Sequence, residues 1–202
     1  MLSAAIHGFI LSFGLILPLG VQNVFVFNQG ALQPKWMHVL PVVLTASICD
    51  TLLISLAVLG VSTVVFGEIW IKVTLMIMGI LFLFFMGYTT WKSRPSIGET
   101  KVDSFTPRTQ IAFAASVSLL NPHAIIDTIG VIGTSSLSYN GLEKAIFMIA
   151  CILVSWLWFF GISLAGKFIG KIDKTGNFLL ILNKISAIIM WGTAVFLIFS
   201  LN

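Results

Sequence analysis

The chain has 202 residues, 58% of them hydrophobic and 9% charged, with a mean hydropathy of +1.06. Soluble domains carry about 25% charged residues, so a soluble globule is excluded, and a membrane protein this short has no room for a second, soluble domain. The formal net charge of +4 then reports topology in the membrane, not nucleic-acid binding.

Six apolar segments approach or exceed the roughly 20 residues that a bilayer-spanning helix needs. They predict an all-α membrane protein with six transmembrane helices. The first runs from about Leu2 to Phe27. It lacks a basic n-region and an A-x-A-like cleavage site, so it reads as a retained helix and not a signal peptide. Gly14, Pro18 and Gly20 loosen it, and Gln22, Asn23 and Asn28 follow. The second segment, about Val39 to Val65, contains Asp50, and the third, about Ile69 to Trp91, carries Lys72 near its start. The longest polar stretch, Lys92 to Gln110, separates these from the fourth segment (about Ile111 to Ser135), the fifth (about Ala145 to Gly166) and the sixth (about Asn177 to Leu201). Cys49 and Cys151 lie inside apolar runs with no CxxC or Cys/His cluster. They read as small buried residues, and no metal or redox site is expected.

Lys and Arg are distributed unevenly. Lys35 follows segment 1, Lys92, Arg94, Lys101 and Arg108 lie in or beside the central loop, and Lys167, Lys171 and Lys174 follow segment 5. With six spans these eight share one side, against Lys72 and Lys144 on the other. The bias places the central loop in the cytoplasm and both termini outside. Three spans on each side of a loop predict a single transporter domain, 1–202, of two inverted three-helix repeats. The halves cover about 1–91 and 110–202, with a cytoplasmic linker at 92–109. LPLGVQN (Leu17 to Asn23) and LLNPHAI (Leu119 to Ile125) occupy the first helix of each half. Interrupted helices in matching positions point to a site near the midplane.

Asp50 and Asp127 are the intramembrane carboxylates. An Asp at a helix centre costs about 2.5–3.5 kcal/mol on insertion scales, and such residues mark ion or substrate paths. One of them paired structurally with Lys184 is the plain alternative, although it leaves the other Asp over. Within segment 4, Pro122 removes a backbone donor and frees a carbonyl one turn earlier. His123 and Asp127, four apart, share a face, with Asn121 and Thr128 on or beside it. His123 taken alone is equally well a satisfied histidine in a kinked helix. The helix 1 glycines serve helix packing as readily as flexibility. Asn and Gln both donate and accept, so Gln22 and Asn23 can bind a zwitterion or tie helices together. Trp156, Trp158, Phe159 and Phe160 read as packing, with stacking on a guanidinium as the alternative. Gly161 and Ala165 form a small-xxx-small pair that suits either a homodimer or packing within the chain.

ILPLGVQNVFVFNQG (Ile16 to Gly30), ICD (Ile48 to Asp50), LLNPHAIIDTIGVIG (Leu119 to Gly133) and SWLWFFG (Ser155 to Gly161) together resemble the lysine/arginine exporter family of bacterial inner-membrane transporters. The resemblance covers the whole chain. It implies export of L-arginine, L-lysine or close analogues, driven by the proton-motive force, with no organic cofactor. The family's aspartates match Asp50 and Asp127, and its helix 1 motif matches Pro18, Gly20, Gln22 and Asn23. Val21 stands where this branch often has a second proline. Four rival readings remain: a neutral amino-acid or small-solute exporter, a metal-ion exporter, an intramembrane aspartyl protease and a purely structural protein. The metal reading lacks ligands, since only His123 lies close in sequence to an Asp. The protease reading lacks a GxGD or YD context around either Asp. A purely structural protein has no reason to bury these groups.

Overall fold

The computed structural model describes residues 1–17, 20–61, 69–92, 106–121, 124–125, 127–173 and 177–199. Pro18, Pro122 and His123 lie outside them, as does most of the 92–109 linker. The described residues form helices joined by short turns, with no strand among them. Helix α1 spans Leu2–Ile16 and α2 spans Val21–Leu32, and their axes differ by 78°. A 3-10 turn, Trp36–Val39, leads into α3, Leu40–Leu56, which ends in a π-helical turn, Ala57–Val61. The remaining helices are α4 (Ile69–Lys92), α5 (Pro107–Leu119), α6 (Gly141–Ile172) and α7 (Asn177–Phe199). Between α5 and α6 lie a π-helical turn, Asp127–Gly133, and a 3-10 turn, Ser136–Ser138.

Among the described residues two stretches are long and apolar enough to cross a bilayer, Trp36–Gly60 and Gly141–Ile172, and the bent α1–α2 pair makes a third if taken as one span. Several boundaries differ from the sequence reading. Segment 1 does not stop at Phe27 but runs on through Asn28 to Leu32, because its late polar residues find partners inside the bundle. Segment 4 starts at Pro107 instead of Ile111. Thr106 caps it, accepting from the Thr109 backbone N–H at 3.3 Å, and Pro107 sits in its first turn, the arrangement that helix starts favour. Segment 5 continues past Gly166 to Ile172, since Lys167 and Lys171 complement the negative end of the helix dipole. Gly14 lies within continuous α1; the interruption falls at Gly20, where α2 begins.

Burial is inside out relative to a soluble protein. Leu44, Ile48, Leu52, Leu153, Leu157, Ile185 and Ile188 face outward, whereas Ser47, Ser118, Ser155, Ser186 and Asn183 are buried. Lipid tails gain little by separating two leucine-rich helices, so close backbone approach and internal hydrogen bonds hold such bundles. Gly30 of α2 and Gly166 of α6 show the approach. A Cβ on Gly30 would collide with the Ser163 carbonyl, and one on Gly166 with the Phe27 carbonyl. Gly8 brings α1 to the same helix, 2.7 Å from where its Cβ would stand to the Phe147 carbonyl. Thus α1 and α2 both pack on α6, α3 packs on α5 and α6, and α4 packs on α7. Cys49 and Cys151 are buried free thiols, and Cys151 Sγ donates to Gly8 O at 3.4 Å.

The basic residues gather at one end. Lys35 follows α2, Lys92 ends α4, Arg108 starts α5, and Lys167 and Lys171 end α6. Contacts tie these helix ends together: Lys167 Nζ donates to the Gln33 carbonyl and, at 3.0 Å, to that of Pro34. The ring of Phe27 meets Phe178 at 6.4 Å. At the opposite end, the N-terminal amine pairs with Glu143 at 2.6 Å, beside Lys144.

Candidate functional site

A cavity of about 130 Å³ opens where α1 gives way to α2. That is several times the roughly 10–15 Å³ that admits one water. Its polar lining comes from Ser12, Gln22, Asn23, Asp50, Asn121, Asp127, Thr128 and Ser155, with Gly20 at the break. Its apolar wall includes Leu15, Ile54, Leu83, Ile132 and Met190. The structure therefore brings together Gly20, Gln22, Asn23, Asp50, Asn121 and Asp127 of the residues singled out in the sequence. Pro18, Pro122 and His123 fall outside the described residues.

Several of these polar side chains are held by neighbours. Asp50 projects from the middle of α3, and its carboxylate accepts from Gln22 Nε2 at 3.1 Å and from Ser155 Oγ at 2.9 Å. One donor belongs to α2 and the other to α6, so the carboxylate joins three helices. Both partners are neutral. Lys184, the intramembrane cation of segment 6, has an exposed side chain lying 5.3 Å over the ring of Trp91. Asp50 thus takes these hydrogen bonds from uncharged groups, and the carboxylate–Lys184 pairing does not account for it.

Asn23 bridges the break. Its Nδ2 donates to the carbonyl of Ile16 at 2.7 Å, and its Oδ1 accepts from Trp158 Nε1 at 3.0 Å. Helix interruption frees carbonyls that hydrocarbon cannot satisfy, and this amide satisfies one while tying the break to α6. The aromatic run of α6 does the same work nearby. Trp156 Nε1 donates to Thr51 Oγ1 at 3.0 Å and its ring stacks on Phe160, while Phe159 is fully buried. These rings pack and anchor helices around the site, in line with the packing reading. Gly161 and Ala165 face outward, away from the bundle.

Helix α2 begins at the cavity wall. Gly20 is its N-cap in extended backbone, with no side-chain cap. The first N–H groups of a helix have no intrahelical partner, and the dipole makes that end positive. Val21 occupies the first helical position and belongs to a buried apolar cluster with Ile80, Leu83 and Met190. Proline is favoured at that position because its missing N–H is an orphan anyway. Valine keeps the helix start and adds a donor.

Two polar wall residues, Ser12 and Ser155, were not among the candidates singled out in the sequence. Ser155 is fully buried and holds Asp50, but serine is common in membrane helices and usually bonds back to its own backbone, as Ser118 does to Ala114 O at 2.8 Å. Among the described residues no group of three or more His, Cys, Asp or Glu is placed to hold a metal ion.

Comparison with known proteins places the chain in a family. The family model described as "LysE type translocator" matches residues 13–201. The chain is 57% identical over 193 residues to the "Putative amino-acid transporter YisU" of Bacillus subtilis (strain 168), covering 96% of this chain and 88% of that protein. It is 30% identical over 195 residues to the "Arginine exporter protein ArgO" of Salmonella typhimurium strain LT2, covering 95% of this chain and 91% of the relative. The ArgO of Salmonella enteritidis PT4 matches to the same extent. No solved structure matches. An apolar, all-helical bundle with a polar cavity at a helix break, matched along nearly its whole length, belongs to the LysE-type translocator family of membrane transporters.

Proposed function

We propose that the protein exports cationic amino acids, L-arginine and/or L-lysine, across the bacterial inner membrane, in exchange for inward proton movement. The observation that carries this reading is the cavity itself. Asp50 and Asp127 stand in its wall together with the uncapped start of α2. A cationic amino acid has complementary charges. Its ammonium or guanidinium side chain meets a carboxylate, bidentate in the case of arginine. Its α-carboxylate meets the positive end of α2, as anions do at helix N-termini. ArgO relatives, named for arginine export, favour the same substrate.

The architecture of the proposal is two inverted three-helix halves, 1–91 and 110–202. The packing pattern supports it. Exchanging helix 1 (α1 with α2) for helix 4 (α5 with the 127–133 turn), helix 2 (α3) for helix 5 (α6), and helix 3 (α4) for helix 6 (α7) maps the most extensive contacts onto one another. Helix 1 on helix 5 becomes helix 4 on helix 2, and the α3–α6 and α4–α7 pairs map onto themselves. The wall of the cavity is shared, with Gln22 and Asp50 from one half and Asn121, Asp127 and Ser155 from the other. The clustering of basic helix ends supports a cytoplasmic central loop with both termini outside.

Rocking of one half against the other then exposes the cavity to alternate sides. Asp50 links the two halves in the present state, because its carboxylate on α3 accepts from Gln22 of the same half and from Ser155 on α6 of the other. Export of a cation works against an inside-negative potential at about 2.3 kcal/mol per charge per 100 mV. An incoming proton carried on a cavity carboxylate offsets that cost.

Efflux of labelled arginine, lysine and leucine from preloaded cells, with and without a protonophore, tests the assignment. The proposal expects arginine or lysine efflux that the protonophore abolishes, and little for leucine. Leucine efflux equal to arginine efflux would move the assignment to a neutral amino-acid exporter.

A further inference from the structure

We propose that the face of α2 from Gln22 to Gln33 is the inward half of the substrate path, and that Gln29, Gln33 and Gln110 form a second binding site for the substrate's cationic head. This rests on the reading above, a cationic amino-acid transporter with the C-terminal end of α2 facing the cytoplasm.

Gln22, Gln29 and Gln33 are spaced by seven and four residues, so they share one face of α2. At 1.5 Å per residue, Gln29 lies about 10 Å from Gln22 toward the basic end. Gln22 touches the cavity and Asp50. Gln29 and Gln33 are 4% and 5% exposed, and Gln110, at the start of α5, is 2% exposed. These are three neighbouring amides buried inside the bundle.

Their hydrogen bonding is unbalanced. Gln33 Nε2 and Gln110 Nε2 both donate to the single oxygen Gln29 Oε1, each at 3.2 Å. Gln110 Oε1 has no partner among the described residues although it is buried. A structural tie between α2 and α5 needs only two amides, and a buried acceptor left over is costly. It is the feature expected of a site that a donor visits. Ammonium and guanidinium groups are donors only, with three and five N–H. An ammonium is already accommodated one step further out, where Lys167 Nζ donates to the carbonyls of Gln33 and Pro34. In the present conformation the amides are closed on one another, so the site opens when α2 and α5 separate.

Cysteine accessibility tests this in the full-length protein, in a background where Cys49→Ala and Cys151→Ala leave arginine export intact. Gln110→Cys and, in the cavity, Ser12→Cys are treated in inside-out vesicles with a membrane-impermeant methanethiosulfonate reagent. The proposal expects Gln110→Cys to be labelled from the cytoplasmic side, and arginine but not leucine to slow that labelling. Protection of Ser12→Cys alone, with Gln110→Cys unlabelled or unaffected by arginine, overturns the second site and leaves the transporter reading standing. Protection at neither position removes the reading on which the site rests. Gln110→Met, similar in volume but without the amide, gives an independent measure through efflux kinetics. Its KM for arginine should rise about tenfold, the effect of one hydrogen bond to a charged group, and an unchanged KM overturns the proposal.

Discussion

Replacing Ser155 with alanine removes one of the two donors on Asp50 while touching little else. The Ser155 hydroxyl lies 2.9 Å from Asp50 Oδ2, and the residue is fully buried in the middle of α6. Alanine is the best helix former and leaves only the volume of one oxygen vacant. A hydrogen bond to a charged group contributes about 1.5–3 kcal/mol, and 1.36 kcal/mol is tenfold in rate. Arginine efflux from Ser155→Ala should therefore fall between about tenfold and a hundredfold at matched protein levels in the membrane. Ser118→Ala is the control. Ser118 is equally buried, but its hydroxyl bonds Ala114 of its own helix and the Cys49 side chain, not Asp50, and its loss should change efflux by less than about threefold. Arginine binding to purified protein, measured by calorimetry, completes the cycle. If Ser155 acts through Asp50, Ser155→Ala should lose its effect in an Asp50→Asn background. Normal export by Ser155→Ala, or an equal loss in Ser118→Ala, would refute the reasoning.

Other consequences follow from packing and topology. Gly30→Ala and Gly166→Ala force a Cβ into the facing backbone of the α2–α6 contact, and overpacking of this kind costs about 1–3 kcal/mol. Thermal unfolding in detergent should show both destabilised, whereas Gly161→Ala, which meets nothing within 4 Å, should be neutral or slightly stabilising. Asn23→Ala strips the Ile16 carbonyl and Trp158 Nε1 of their partner. It should lower stability by about 1–3 kcal/mol, more than Trp158→Phe, which leaves the Ile16 bond in place. Single cysteines at Lys35, Arg108 and Lys171 should react with an impermeant reagent only from the cytoplasmic side, and one at Lys144 only from outside. A cysteine at Arg108 reactive from outside would reverse the orientation.

The cost of polar groups in hydrocarbon made the candidate site legible. Asp50, Asp127, Gln22, Asn23 and Asn121 stand out because a membrane helix carries such residues only for a reason, and they line one cavity. The break in helix 1 was legible from Gly20, because α2 starts there. Ser155 was not, since a serine costs a membrane helix little and carries no signal of the acceptor it faces. The extension of helix 1 to Leu32 was missed for a related reason. Gln29 and Gln33 look like the end of a span when read alone, yet they remain inside because they bond each other and Gln110. The start of α5 was hidden in a polar stretch, where the cap at Thr106 and the proline after it were the available signals. Which helices touch depends on close approaches such as Gly30 to Ser163 and Gly166 to Phe27, and a glycine in the sequence does not name its partner.

The central claim is that the two cavity carboxylates carry a cationic substrate against a proton. It is tested most directly in proteoliposomes holding purified protein and labelled arginine inside, with an imposed proton gradient and a pH-sensitive dye to follow proton movement. The account predicts that wild-type protein moves arginine out as protons move in, and that Asp50→Asn and Asp127→Asn each abolish both fluxes while the folded protein remains in the membrane. Arginine transport at the wild-type rate by both variants would contradict it.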